Sequence, residues 1–179
     1  AEGNWQGYID NISVKEVTND LVAFYPLDAD NSANGVTNDA TTGEVLGDEL
    51  ITNGGFDTDS NWTKGDGWTI ANGVASSDET AQSTHSYLTQ SVSFESGALY
   101  RVSYDLVYND SAGNGFQVQF LGSGTSAGTG RTSSGSYVEY ITSIAAHTTF
   151  NIRSSDGTAT GTIDNISVKK VLSNTGVLK

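Results

Sequence analysis

Residues Gly97-Ala98-Leu99-Tyr100-Arg101-Val102-Ser103-Tyr104-Asp105-Leu106-Val107-Tyr108 decide the fold class. Tyr100, Val102, Tyr104 and Leu106 alternate with Leu99, Arg101, Ser103 and Asp105. A strand sends successive side chains to opposite faces, so this alternation puts the first set on one side and the second on the other. A helix would scatter both sets around its surface. The stretch reads as a half-buried β-strand with Tyr100, Tyr104 and their apolar neighbours turned to a core.

The same period recurs outward from this strand. Phe116-Gln117-Val118-Gln119-Phe120 places Phe116, Val118 and Phe120 inward, and Phe150-Asn151-Ile152-Arg153 does the same with Phe150 and Ile152. Further strands are expected at 50–53, 67–71, 74–77, 87–93, 137–142 and 161–168. Turn-forming pairs fall between them, among them Asn53-Gly54, Asp66-Gly67, Asn72-Gly73, Asn114-Gly115 and Asp156-Gly157. Almost nothing reads as helix. About eight or nine short antiparallel strands with such spacing predict an all-β sandwich of the jelly-roll kind.

A long repeat sets the domain organisation. Tyr8-Ile9-Asp10-Asn11-Ile12-Ser13-Val14-Lys15 returns as Thr162-Ile163-Asp164-Asn165-Ile166-Ser167-Val168-Lys169, identical over the seven residues from Ile9 to Lys15. The interval is too long for a solenoid and matches a whole domain. The expectation is a piece of a tandem array. Residues 1–17 would close a preceding module, 18–48 would be a linker, 49–172 one complete module, and 173–179 a tail. Linker character comes from Asp28 to Gly47, rich in Asp, Asn, Ser, Thr and Gly after the chain's single proline, Pro26. The apolar residues of 8–17 would then lack their own sandwich. Exchange between two chains, giving a homodimer, is one expected outcome.

Composition narrows the function. The formal charge is −13, from 21 acidic and 8 basic residues, with no Cys. Nucleic acid and anionic membranes both need clustered cations, so neither is expected as a partner. No apolar run approaches the length of a membrane helix. Without Cys there is no disulfide scaffold, Cys-based zinc site or thiol nucleophile. The two histidines, His85 and His147, stand in no catalytic motif. Asp105 and Glu139 are the carboxylates one would pair for glycoside hydrolysis, but with 21 acids such a pair can always be named. A non-catalytic protein is expected.

Three motifs carry a resemblance. Asn53-Gly54-Gly55-Phe56-Asp57 leads to Trp62. Leu88-Thr89-Gln90-Ser91-Val92 is followed by Gly97-Ala98-Leu99-Tyr100-Arg101-Val102-Ser103-Tyr104. The chain then closes with Ile163-Asp164-Asn165-Ile166-Ser167-Val168. Together they resemble the carbohydrate-binding-module jelly rolls of families 4, 9 and 22, within the galactose-binding-like superfold. The residues around Leu21–Leu27 and Gly43–Gly47 also look like connectors of tandem phage tail or fibre proteins. The resemblance implies glycan binding, an extracellular or virion location, and a structural Ca²⁺ joining the first and last strands. Its matching ligands are Asp57 and Asp164, with carbonyls near Gly55 and 83–85.

In such modules the ligand lies across the outward residues of a concave sheet. The positions so implied are Arg101, Ser103, Asp105, Gln117, Gln119, Asn151 and Arg153, suited to sugar hydroxyls through amides, carboxylates and guanidinium groups. Tyr87 is the preferred stacking ring, because Leu88, Gln90 and Val92 take the inward phase. Trp62 is a second candidate, with Tyr108 and Tyr137 behind. The alternative reading is a structural spacer or virion decoration repeat with an ordinary solvated sheet face.

Overall fold

The computed structural model describes residues 37–39, 44–78, 85–109, 115–154 and 159–174. The duplicated stretch 8–17 therefore lies outside the described residues. In chain order the strands are β1 (Thr37–Asp39), β2 (Glu44–Glu49), β3 (Thr63–Lys64), β4 (Trp68–Ala71), β5 (Val74–Ser77) and β6 (Ser86–Ser91). They continue with β7 (Leu99–Tyr108), β8 (Phe116–Gly122), β9 (Gly124–Ala127), β10 (Gly135–Thr142), β11 (His147–Ser154) and β12 (Gly161–Asn174). The described residues contain no helix.

Two antiparallel sheets face each other, as the alternation predicts. The larger has seven strands. β12 is at its centre, with β7 on one side and β5 then β2 on the other, and β10, β4 and β1 at edges. The smaller runs β3-β6-β11-β8-β9. Side chains from both inner faces make one core. Val102, Ile163 and Val168 meet Leu88, Val118 and Ile152 as fully buried apolar residues. Phe94 stacks on Phe120 with centroids 4.0 Å apart, and Tyr100 meets both edge-on. Such ring pairs add to the burial of apolar area that drives the sheets together.

β12 changes neighbours along its length. Gly161–Ile163 pairs with β5, and Lys169 to Asn174 pairs with β2. Between them a bulge shifts the register against β7 after Asp164. Asn165 sits there at φ 52°, a left-handed conformation that asparagine tolerates better than most residues. The opening loop fills the gap beside the bulge: Ile166 N donates to Gly54 O at 2.9 Å, and Leu50 N to Val168 O at 3.0 Å. A Cβ on Gly54 would lie 2.0 Å from Ile166 O, so only glycine permits this approach.

The expected strand at 50–53 is displaced. Strand β2 occupies Glu44–Glu49, all but its last residue inside the 18–48 stretch read as linker, and the chain leaves the sheet after Glu49. The cause is Glu49 itself. Its carboxylate accepts from Ile51 N at 3.0 Å, Val168 N at 2.8 Å and the Ser167 hydroxyl. Three strands were not expected: β1, β3 and β9. All are short and lack alternating apolar residues, and they form as edge strands on stronger neighbours.

Candidate functional site

The five-stranded sheet presents two polar rows on its outer face. Leu88, Val118, Phe150 and Ile152 point to the core, so the residues between them point away. Arg153 lies opposite Tyr87 on β6 and Gln117 on β8. Two residues along, Asn151 lies opposite Thr89 and Gln119. Thr63 extends this second row through Thr89. Directly opposed side chains on neighbouring strands stand roughly 5 Å apart, close enough to act on one ligand.

The middle of the face is its least exposed part. Asn151 is 2% exposed and Gln119 7%, although both turn away from the core. Tyr87 and Arg153 are half-buried, while Ser91 at the end of β6 is exposed. The amides form a chain: Gln119 Nε2 donates to Gln117 Oε1 at 2.8 Å, and Gln117 Nε2 donates to Gly128 O at 2.9 Å. This chain fixes the orientation of both side chains. Asn151 Oδ1 is buried and accepts no hydrogen bond from the described residues. Arg153 Nη2 donates to the His85 ring, 2.6 Å from Nε2, while Arg153 Nε is buried without a partner. A buried polar atom left unpaired costs about 1–3 kcal/mol, and a ligand reaches these two only if the side chains around them move.

Not all the residues read from the sequence come together. Tyr87, Gln117, Gln119, Asn151 and Arg153 share this face. Arg101, Ser103 and Asp105 do not. They lie on β7, in the other sheet, on the outer side of the sandwich away from the first group. The reason is topological. β7 and β8 follow one another in sequence, but the chain crosses between sheets from one to the next. Alternation marks a residue as outward without saying which outer face it reaches. On that second face Asp105 accepts from the Ser136 hydroxyl and from Asn165 Nδ2 at 2.8 Å. These bonds hold its carboxyl below the usual range, Ser136 contributing most. Arg101 Nε is 3.9 Å from the buried Glu44 carboxylate.

Trp62 is also corrected. It is buried, with its ring against Phe56 at 5.3 Å and Phe150 at 6.2 Å. Its Nε1 donates to Asn53 O at 3.0 Å. The opening loop turns through left-handed Asn53, Phe56 and Asn61 (φ 56°, 52° and 67°) and tucks both rings under the sandwich. Tyr137 belongs to the interior side of β10, tilted on Tyr104 at 5.5 Å and covered by the Arg131 guanidinium at 4.5 Å. Tyr108 packs against the core. Tyr87 alone of the named rings joins the polar face.

Glu139 and Asp105 occupy opposite sides of the seven-stranded sheet. Glu139 is 7% exposed and accepts from Tyr104 Oη and Thr129 N, both at 2.6 Å, with Arg131 Nε at 3.5 Å. It borders a cleft of about 320 Å³ at the flank between β9 and β10. Two carboxylates separated by a sheet cannot flank one glycosidic bond.

Asp57 is exposed, and Asp164 Oδ1 accepts from Asn165 N at 2.6 Å. Among the described residues, no three His, Cys, Asp or Glu side chains are grouped to hold a metal. Carbonyl oxygens would have to supply most of a calcium shell here. Sequence reasoning missed Glu49, which joins the opening loop to β12, and it missed Thr63 and Thr89. The alternation that exposed Tyr87 also places Thr89 on its face.

The sequence matches no protein-family profile and no curated protein. The structure does resemble solved ones. The N-terminal cellulose-binding domain from Cellulomonas fimi β-1,4-glucanase C is similar at TM-score 0.51 and 18% identity, over 69% of this chain and 98% of that one. The CBM22-1 xylan-binding domain from Paenibacillus barcinonensis is similar at TM-score 0.50 and 12% identity, over 70% of this chain and 96% of that one. TmCBM61 in complex with β-1,4-galactotriose follows at TM-score 0.46 and 17% identity, over 68% and 98%.

Proposed function

The chain has the β-sandwich fold of carbohydrate-binding modules, and from this premise we propose that it binds a glycan without transforming it. The binding surface is the outer face of the five-stranded sheet. The observation that carries this reading is Asn151: an amide turned away from the core, almost fully buried, with its carbonyl oxygen unpaired. Thr89 and Gln119 beside it, and Gln117 and Arg153 in the next row, supply donors and acceptors for ring hydroxyls. Tyr87 supplies a flat apolar surface at one side. The pre-set amide chain lowers the entropy lost on binding.

Cellulose and xylan are the ligands named for two structures of similar fold, and polysaccharide is the class proposed here. Extracellular or virion display fits such a partner, and no helix among the described residues is long and apolar enough to cross a membrane. In a tandem parent, weak single sites would gain avidity on a repetitive polymer. Calcium enters as a stabilising ion on Asp57 and Asp164, and exchange of residues 8–17 as a route to a homodimer. A spacer repeat without ligand is the alternative, favoured by the absence of a Trp from the polar face among the described residues.

Affinity electrophoresis against a panel of polysaccharides separates the two. Binding by one glycan class, weakened about tenfold or more in Tyr87→Ala and Asn151→Ala, is the expected result. A panel that leaves the protein's mobility unchanged throughout would support the spacer.

A further inference from the structure

Carboxylates are segregated between the two sheets. No strand of the five-stranded sheet contains Asp or Glu, in a chain that has 21 of them. The seven-stranded sheet carries Asp39, Glu44, Asp48, Glu49, Asp105, Glu139 and Asp164 within its strands. Glu139 reaches the Thr129 backbone beside the polar rows. It is already matched by Arg131 and by the Tyr104 hydroxyl. Among the described residues, the outward positions of the five-stranded sheet carry one formal charge, the Arg153 guanidinium; Lys64 of β3, opposite Leu88, pairs with Asp59.

Arg153 is half-buried: Nη2 is engaged by His85, and Nε, with almost no accessible surface, has no partner among the described residues. A guanidinium presents its donors in a rigid planar fork that fits a carboxylate better than a single hydroxyl. Tyr87 and Gln117 flank it in the same row. A sugar ring lying on Tyr87 would bring an equatorial substituent over Arg153. Uncharged sugars need neither the cation nor the exclusion of acids from the sheet, whereas an anionic sugar needs both. Repulsion from the remaining surface is short-ranged in physiological salt, where screening acts over about 8 Å.

We propose that this face takes a carboxylate-bearing glycan, its carboxylate seated on Arg153 and its hydroxyls on Gln117, Gln119 and Asn151. This rests on the glycan reading above and names the chemical class of the ligand. The carboxylate can come from a uronic acid in the polymer backbone or from an acidic substituent on a neutral backbone.

The test is affinity electrophoresis of the full chain against three groups of polymer. Polygalacturonate and alginate carry backbone carboxylates, xanthan carries acidic side groups, and methyl-esterified polygalacturonate and galactan are uncharged. Retardation by a carboxylated polymer, at least about tenfold stronger than by the uncharged ones, is expected. Arg153→Gln should abolish this preference. Whether backbone uronates or xanthan bind tells the two carboxylate sources apart. Binding to uncharged polymers with equal strength, unaffected by Arg153→Gln, would overturn the acidic-ligand proposal and leave the glycan reading standing. No binding to any polymer would overturn both. If Arg153→Gln proves poorly folded, polygalacturonate against its methyl ester on the wild-type chain still decides the matter.

Discussion

Tyr104 illustrates how one side chain ties two neighbouring strands, β7 and β10, beneath the sheet. Its ring is in the core, and its hydroxyl donates to the buried Glu139. Burial first, and then the bond to Glu139, push its phenol well above the ordinary value of 10.0. In the unfolded chain the same phenol ionises near pH 10. The folded state then holds a proton that the unfolded state releases. The stabilisation is complete below about pH 10 and is lost as pH rises beyond it. Urea midpoints measured from pH 8 upward should fall more steeply for the wild type than for Tyr104→Phe. Parallel curves would show that Tyr104 does not control alkaline stability. The sequence read Tyr104 correctly as a core residue from its phase on β7. It did not reveal the partner, because Glu139 lies on β10, and a pairing between distant strands leaves no local trace.

At the scale of elements, β12 and the opening loop form the main joint. A Cβ on Gly161 would meet Val107 O at 2.4 Å and the Phe116 ring at 3.0 Å. Gly161→Ala should destabilise by about 1–3 kcal/mol. A Cβ on Gly130 would meet nothing within 4 Å, so Gly130→Ala should stay within about 0.5 kcal/mol. Equal denaturation midpoints for the two variants would refute the close-packing account. The joint also frames the calcium question. Glu49 and the backbone bonds at Gly54 and Leu50 already tie the loop to β12. A rise of several degrees in melting temperature with Ca²⁺ over EDTA would support an ion on Asp57 and Asp164. Superimposable melts would leave the joint to the protein atoms alone. The strength of β12 was legible, since its sequence recurs at Ile9–Lys15 with the glycine and asparagine kept as Gly7 and Asn11. Strands such as β9, Gly-Thr-Ser-Ala, were not, because their pairing comes from a neighbour and not from their own apolar pattern.

For the whole molecule, two outer faces differ in charge, and the alternation of single strands could not assign residues between them. Arg101 and Arg153 have the same local pattern and reach opposite sides. Oligomeric state is the other property at this scale. If residues 8–17 exchange into the β12 position of a second chain, light scattering after size exclusion will give a dimer. Deleting residues 1–20 will then restore a monomer. A monomer with and without those residues would exclude exchange.

The placement of β2 beside β12 has a mechanical consequence. The two strands run antiparallel, and Glu44 at the start of one pairs with Asn174 at the end of the other. Strand β1 precedes β2 and lies on its far side, so the described chain enters the sheet at Thr37, opposite Leu46, and leaves it at Asn174, opposite Glu44. β1 and β12 flank β2 and run parallel to each other, so tension between these two points would load all the rungs together in shear, instead of peeling one pair apart rung by rung.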